Sequence, residues 1–446
     1  MTIARTICLG FLAVIAVGTL LLLMPFATSD GTWNSPLVAV FTSTSAVCVT
    51  GLAVVDTGSY FSFWGQLIIL LLIQVGGLGY MTVTTFLILL IGRKFDLRQR
   101  LAIQESFDRP FLQGSRNLIR SIIATTLIFE ITGIFLMFNS FSSEAGDLSR
   151  GLWLSIFHSI SAWNNAGFSL FPDSLVGYQS SLTINLVISF LIIFGGIGYQ
   201  VIIELFLWGE NILRRKQERF NFSLNFKVVT RTTCILLVLG TIAFLLTELN
   251  NPATLANLNF RDKFLAAWFQ SVTTRTAGFN SIDMGQLTIT SIFITMGLMF
   301  IGASPSGTGG GIKTTTASIL NHCTRSVLQG KEEVIIYQRE VPLSLILKSI
   351  AVLVGSGSTV VLATITISLF DSNFEFVNIF FEVISAFATV GLSTGITASL
   401  SSAAKIVLIL TMYAGRVGIL LLIAAIVGEP PHPSALKYPE ENLLIG

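Results

Sequence analysis

Long apolar stretches separated by short polar segments dominate the chain. Those near 7–26, 64–91 and 183–207 have almost no charged position. About 20 apolar residues in a helix cross a hydrocarbon layer about 30 Å thick. The first stretch follows a single Arg5 and could be a signal sequence, but it lacks a small-residue cleavage site, so a first span is favoured. The pattern predicts an all-α integral membrane protein with several spans.

Four short segments recur within this pattern and align without gaps on one glycine. Their glycines are Gly51, Gly167, Gly278 and Gly391, which lie 116, 111 and 113 positions apart. About 11 helix-compatible residues lead up to each glycine, too few to cross the bilayer, and glycine is typical of a helix end. An apolar span precedes and follows each segment. This organisation predicts four fused units, each a span, a re-entrant pore helix and a second span.

The repeat sets the boundaries that we predict. The units are 1–95, 96–210, 211–330 and 331–446 including the C-terminal tail. First spans are expected near 7–26, 119–139, 228–247 and 345–368, and second spans near 65–91, 183–208, 290–302 and 404–427. This gives eight transmembrane helices and four pore helices. In the first pore helix, Ser35 is expected as N-cap with Pro36 at the first helical position.

Two spans per unit make the four units parallel, so the glycine segments should surround one pseudo-fourfold pore normal to the membrane. Irregular backbone at membrane depth persists only when it is buried in protein or lines water. The linkers between repeats carry most of the Lys and Arg residues. They are therefore expected in the cytoplasm, with the pore loops facing outside a multi-pass protein of the cell membrane.

Composition restricts the function further. The 446 residues are 52% hydrophobic and 11% charged, whereas soluble domains carry about 25% charged residues. A net charge of +2 does not favour nucleic acid as a partner. The four cysteines and three histidines lack metal-ligand spacing. Because paired intramembrane acids and nucleophile–base sets are also missing from the sequence, an enzyme is disfavoured.

The glycine segments suggest a chemistry for a monovalent cation. Rings of backbone carbonyls replace its hydration without a fixed charge, and glycine reaches the positive φ that turns carbonyls toward one centre. Glycines that merely end helices or allow close packing are the alternative, which four copies in register disfavour. The expected ligands of this cation are backbone carbonyls of Val49, Thr50, Gly51, Asn165, Ala166, Gly167, Thr276, Ala277, Gly278, Thr389, Val390 and Gly391.

These segments, together with the motifs at 51–58, 74–79, 164–168 and 275–280, resemble the Ktr/Trk/HKT superfamily of potassium transporters, and within it the KtrB-type membrane subunit. The resemblance covers essentially the whole chain. It implies K+ uptake, homodimers and a cytosolic nucleotide-binding ring subunit of the KtrA type as regulatory partner, with no cofactor in this chain. Na+ as a stimulator stays open. A Na+-permeable relative is the near alternative, which Gly51 disfavours because such relatives can carry serine there.

A glycine-rich run at 302–313 interrupts the second span of repeat three. Its small residues cannot hold a regular helix, so it should line the water-filled cavity below the glycine segments. The resemblance makes it a gating loop, with gating residues Gly302, Gly307, Gly309, Gly310, Gly311 and Lys313. A phosphate-binding loop is disfavoured because an apolar span precedes the run. A simple packing break stays open.

Two arginines stand out. Arg416 lies inside an otherwise uncharged span, where a charge is costly and usually faces a cavity or partner. It resembles the family arginine that faces the gating loop, and is expected as an electrostatic barrier. Arg275 lies within a glycine segment and is expected to be scaffold. A non-conducting assembly subunit and an inverted-repeat transporter remain as other classes, although the latter requires antiparallel halves.

Overall fold

The computed structural model describes residues 3–79, 115–214 and 220–428, which are mostly helical with almost no sheet. Its longest helices are the four first spans, Ile3–Leu23, Ser115–Ala145, Leu224–Glu248 and Leu343–Phe370. Each is long and apolar enough to cross a membrane. They match the four stretches that the hydrophobic pattern predicted.

A shorter helix follows each first span. These four helices, called pore helices below after their predicted role, are Pro36–Val47, Leu148–Trp163, Phe260–Thr273 and Phe376–Phe387. The first begins at Pro36 after Ser35, as predicted, although the Ser35 side chain makes no capping hydrogen bond. The second is capped by Asp147, which accepts a bond from the Ser149 amide at 3.0 Å. Hydrogen bonds from Ser149 lower the pKa of this exposed carboxyl.

The second spans differ from the predicted continuous stretches because glycine interrupts them. Leu182–Ile197 and Tyr199–Leu213 are bent by 104° about Gly198, and Ser402–Val417 and Ile419–Val427 by 97° about Gly418. Both glycines have positive φ, +93° and +90°, a conformation that ends a right-handed helix. The predicted spans near 183–208 and 404–427 are therefore each two helices.

The other two second spans are short apolar helices, Phe63–Leu78 and Ile289–Phe300. The first ends at Gly79, and the rest of its predicted stretch lies outside the described residues. The second runs into the glycine-rich loop, after which Thr314–Leu328 is helical. Within the described ranges, four helices could cross a membrane, or six if each bent pair is one span. Eight spans and the repeat boundaries stay predictions.

The remaining elements are small. They are the four-residue helix Thr57–Tyr60, the 3-10 turns Pro25–Ala27, Val176–Tyr178, Met284–Gln286 and Thr397–Ser399, and the strands Ile335–Ile336 and Arg339–Glu340. The two strands pair antiparallel, Ile335 with Glu340. Ile336 belongs to a small buried cluster with Val228 and Ile346.

A serine on the pore helix fixes its distance from the first span in three repeats. Its hydroxyl donates to a backbone carbonyl of that span. A glycine of the span lies beside the hydroxyl, where a Cβ would collide with it. The bonds are Ser43 to Ile15, Ser159 to Glu130 and Ser271 to Leu237, at 2.8, 2.7 and 2.7 Å. The facing glycines are Gly18, Gly133 and Gly240. Small residues of this kind allow close helix packing in membranes.

Candidate functional site: a ring of four glycines

The four aligned glycines meet in one closed ring. A Cβ added to Gly51 would lie 2.5 Å from the carbonyl oxygen of Ala166, and one added to Gly167 would lie 2.7 Å from that of Ala277. A Cβ added to Gly278 would lie 2.4 Å from the Val390 oxygen, and one added to Gly391 would lie 2.0 Å from the Thr50 oxygen. Each glycine thus faces the carbonyl that precedes the glycine of the next repeat, and repeat four returns to repeat one.

The backbone of the ring follows one conformational rule in all four repeats. Each glycine has positive φ, with values of +89°, +68°, +82° and +92° for Gly51, Gly167, Gly278 and Gly391. The residue two positions earlier is also left-handed, with φ of 50°, 55°, 70° and 51° at Val49, Asn165, Thr276 and Thr389. Such a φ is uncommon for residues with side chains, and rarer still for β-branched ones. Strain repeated at four equivalent positions indicates that the surrounding structure imposes this path.

The structure therefore brings together all twelve residues proposed as ligands. The carbonyl oxygens of Thr50, Ala166, Ala277 and Val390 each lie beside the ring glycine of a neighbouring repeat. The pore helices end four residues before the glycine in repeats one, two and four, and five residues before it in repeat three. Their C-terminal, partly negative ends are thus close to the ring, which favours a cation there.

The gap-free alignment holds at the ring but not along the third pore helix. Ser43 and Ser159 lie eight positions before their glycine, whereas Ser271 makes the equivalent bond from seven positions before. The Ala277 amide bonds to Thr273, four positions back, whereas its counterpart Thr50 bonds to Ser45, five positions back. The third pore helix is therefore offset by one residue from the other three.

Sequence reasoning missed a serine six positions before three of the glycines. The Gly51 amide donates to Ser45 Oγ at 3.1 Å, and the Gly391 amide donates to Ser385 Oγ at 3.0 Å. Ser161 Oγ donates to the Phe168 carbonyl at 2.8 Å. These hydroxyls hold the loop to its helix. The recurrence of serine at this position in the aligned segments was the signal that could have found them.

The glycine-rich loop lies directly against the ring. The Gly310 amide donates to Thr389 Oγ1 at 2.9 Å, and a Cβ on Gly309 would lie 1.9 Å from Thr276 Oγ1. The loop also bonds to the broken span of repeat two, through Ser304 to Gly196 at 3.0 Å and Thr308 to Gly195 at 3.1 Å. The loop consequently contacts three of the four repeats by itself.

Close contact accounts for the glycines of this loop. A Cβ at Gly302 would lie 2.1 Å from the Gly310 oxygen, and one at Gly307 would lie 2.6 Å from the Gly196 oxygen. Gly311 has a φ of +70°. The Gly302 amide bonds to Ile312 at 2.8 Å, which closes the loop at its base. The run is thus non-helical, as predicted, and its glycines let backbone segments contact each other.

Basic side chains hold the loop. Lys313 Nζ donates to the Gly309 carbonyl at 2.8 Å. Arg416 donates to the carbonyls of Thr308 in the loop and Gly76 in repeat one. Arg416 thus contacts the loop, as predicted from the sequence, and it links the loop to repeat one, which the loop does not reach by itself.

Acidic residues near the ring have local partners. Asp56 accepts the Ser59 amide at 3.0 Å and Asp283 accepts the Gly285 amide at 2.9 Å, so both cap turns. In the spans, Glu204 accepts the Ser223 amide at 2.9 Å, and Glu130 accepts the Asn164 side chain at 3.4 Å. Each of these carboxylates thus has a structural role where it lies.

A helical membrane fold with a fourfold backbone ring and an interrupted span beneath it defines a membrane transport protein, not an enzyme. The chain belongs to the TrkH family of cation transport proteins, because the model of that family matches residues 9–437. Ktr system potassium uptake protein B of Bacillus subtilis (strain 168) is 37% identical over 444 residues, covering 99% of this chain and 96% of that protein.

Two further similarities agree with this. The potassium/sodium uptake protein NtpJ of Enterococcus hirae is 34% identical over 448 residues, covering 99% of this chain and 97% of that protein. The crystal structure of the potassium transporter TrkH from Vibrio parahaemolyticus matches with a TM-score of 0.72 at 18% identity, covering 95% of this chain and 84% of that chain. The structural match concerns the fold.

Proposed function

We propose that the chain is the ion-translocating membrane subunit of a K+ uptake system and that K+ passes through the ring of four glycines. The closed cycle of contacts from Gly51 through Gly167, Gly278 and Gly391 back to repeat one carries this proposal. Backbone carbonyls at the ring replace water around a monovalent cation without a fixed charge that would hold it. The potassium uptake protein B at 37% identity supports K+ as the ion.

The proposed gate is the loop 302–313 with Arg416. The loop lies against Thr389 and Thr276, on the side of the ring where the second spans break. The Arg416 side chain bonds to it, so a positive charge is held next to the ion path and opposes a passing cation. Displacing the loop together with Arg416 opens the path.

Family membership supports a proposal for the partners, and the basic linkers between repeats support one for the orientation. The relative named as a Ktr system protein supports a system of more than one component. We propose a KtrA-type cytosolic ring as regulator, a homodimer of this chain, and pore loops facing outside. Na+ as co-substrate or stimulator is the second candidate function, supported by the relative named for potassium and sodium uptake.

Complementation tests conduction. We expect expression with a regulatory ring subunit to restore growth of K+-uptake-deficient cells at low K+ and to raise Rb+ uptake above that of empty-vector cells. Na+ added at fixed Rb+ distinguishes stimulation from competition. Rb+ uptake equal to that of empty-vector cells, with the protein present in the membrane, would contradict the proposal.

Selectivity is tested at the first glycine. Gly51→Ser adds a side chain within reach of the Ala166 oxygen, which alters the cavity that fits K+. We expect the Rb+ over Na+ uptake ratio to fall about tenfold, the factor for about 1.4 kcal/mol. The ratio is measured from the separate uptake of Rb+ and of Na+. An unchanged ratio with normal expression argues against a role of Gly51 in selectivity.

The gate is tested by shortening the loop. Deleting 307–311 removes the Gly310 amide and the Thr308 carbonyl that Arg416 contacts. We expect flux without the regulatory subunit to rise several-fold, because the remaining loop no longer reaches the ring. Unregulated Rb+ efflux from loaded vesicles is the measurement. Unchanged flux and unchanged regulation would remove the loop from the mechanism.

A further inference from the structure

The residue two positions before each ring glycine differs among repeats. It is Val49, Asn165, Thr276 and Thr389 in chain order. Threonine thus occurs in repeats three and four. Both threonines are fully buried and left-handed, although a β-branched residue disfavours that conformation. A hydroxyl at these two positions therefore needs a reason beyond the backbone path.

The two threonine hydroxyls are where the loop contacts the ring. Thr389 Oγ1 accepts the Gly310 amide at 2.9 Å. Gly309 lies so close to Thr276 that a Cβ would be 1.9 Å from its Oγ1. Val49 could accept no such bond. The amide and hydroxyl are both buried, so each would lose its partner if loop and ring separated.

A second connection joins the same two parts. Arg275 immediately precedes Thr276, and its Nη2 donates to the Gly302 carbonyl at 3.0 Å, where the loop begins. Its Nε and Nη1 have no hydrogen-bond partner among the described residues, so its side chain has this one fixed attachment. The loop is therefore held to the glycine segments at two points, at its first residue Gly302 and at Gly310.

We propose that Thr389 is a positioning residue for ion selectivity: its hydroxyl fixes the fourth ring segment to the loop, so that the preference for K+ over Na+ depends on the position of the loop. This rests on the proposed function. When the loop moves, the strained segment 389–391 loses its support, and the Val390 carbonyl beside Gly278 shifts. Because the loop and the ring segment share this contact, the position of each affects the position of the other.

The experiment combines two changes in a cycle. Rb+ over Na+ uptake ratios are measured for wild type, Thr389→Val, the 307–311 deletion and the double variant. We expect Thr389→Val and the deletion each to lower the ratio about tenfold, the scale of one lost buried hydrogen bond, and the double variant to equal either one. Thr389→Ser, which keeps the hydroxyl, is expected to keep the wild-type ratio.

Thr273→Val is the matched control. Thr273, in repeat three, is buried like Thr389, but its hydroxyl has no hydrogen-bond partner among the described residues. The Rb+ over Na+ uptake ratio of Thr273→Val should therefore stay at the wild-type value. Thr389→Ala, which adds no bulk, is read by the same criteria if Thr389→Val fails to reach the membrane. A wild-type ratio for the hydroxyl-free variant, or additive losses in the double variant, would overturn the proposal. Absence of wild-type Rb+ uptake would instead refute conduction itself.

Discussion

Gly391→Ala is expected to abolish most Rb+ uptake while the protein still reaches the membrane. The added methyl carbon would lie 2.0 Å from the Thr50 oxygen and 3.0 Å from the Gly51 Cα, both of which are backbone atoms. Neither can move without moving its own repeat. Overpacking of a tight site costs about 1–3 kcal/mol, and each 1.36 kcal/mol is about tenfold in rate. Uptake should therefore fall by about 5- to 160-fold.

Gly395→Ala is the control for backbone strain. Gly395 has a φ of +94°, close to the +92° of Gly391, but a Cβ there would meet nothing within 4 Å. Both variants thus carry the left-handed penalty of an alanine, about 1 kcal/mol, and differ in the collision alone. Near-normal uptake by Gly395→Ala beside a loss in Gly391→Ala is the expected pattern. Equal loss in both would trace the defect to the backbone and not to the ring.

Arg416→Gln should raise flux in the absence of the regulatory subunit about tenfold. The guanidinium bonds the loop at Thr308 and repeat one at Gly76. A hydrogen bond to a charged group contributes about 1.5–3 kcal/mol, and a shift of 1.4 kcal/mol between closed and open states changes their ratio about tenfold. The positive charge beside the path is removed as well. Rb+ efflux from loaded vesicles reports the change.

Arg416→Lys separates the two effects. Lysine keeps the charge but lacks the planar fork that reaches two carbonyls at once. Flux as low as wild type would assign the gate to charge, whereas flux as high as Arg416→Gln would assign it to the two hydrogen bonds. Arg339→Gln, on the exposed hairpin, serves as the control for altered charge. Low flux in Arg416→Gln would exclude Arg416 from the gate.

The sequence predicted the parts of the fold that repeat. Hydrophobic length located the four long helices, and the period of the glycines located the short helix that precedes each glycine, because each signal depends on local composition. That these glycine segments form an ion pore stays a prediction. The start of the first pore helix at Pro36 was predicted in the same way, from the local pair Ser35 and Pro36. The contact of Arg416 with the loop was also anticipated, from the resemblance.

Other features depended on neighbours in space. Gly198 and Gly418 lie in apolar stretches that read as continuous spans, and only their positive φ makes them breaks. The one-residue offset of Ser271 is set by its bond to Leu237, which a gap-free alignment on Gly278 cannot express. The glycines of the loop pack against Thr276, Gly196 and Gly310, contacts from other parts of the chain that no local pattern encodes.

The placement of the loop has a consequence for why the four units share one polypeptide. Beneath the ring, a single loop from repeat three contacts Thr389 of repeat four and Gly195 and Gly196 of repeat two. Four identical subunits would each bring such a loop to the same axial space, where one already fills the contacts. Covalent fusion lets one repeat diverge while the others keep the symmetric glycine path, so each ring is matched with a single such loop.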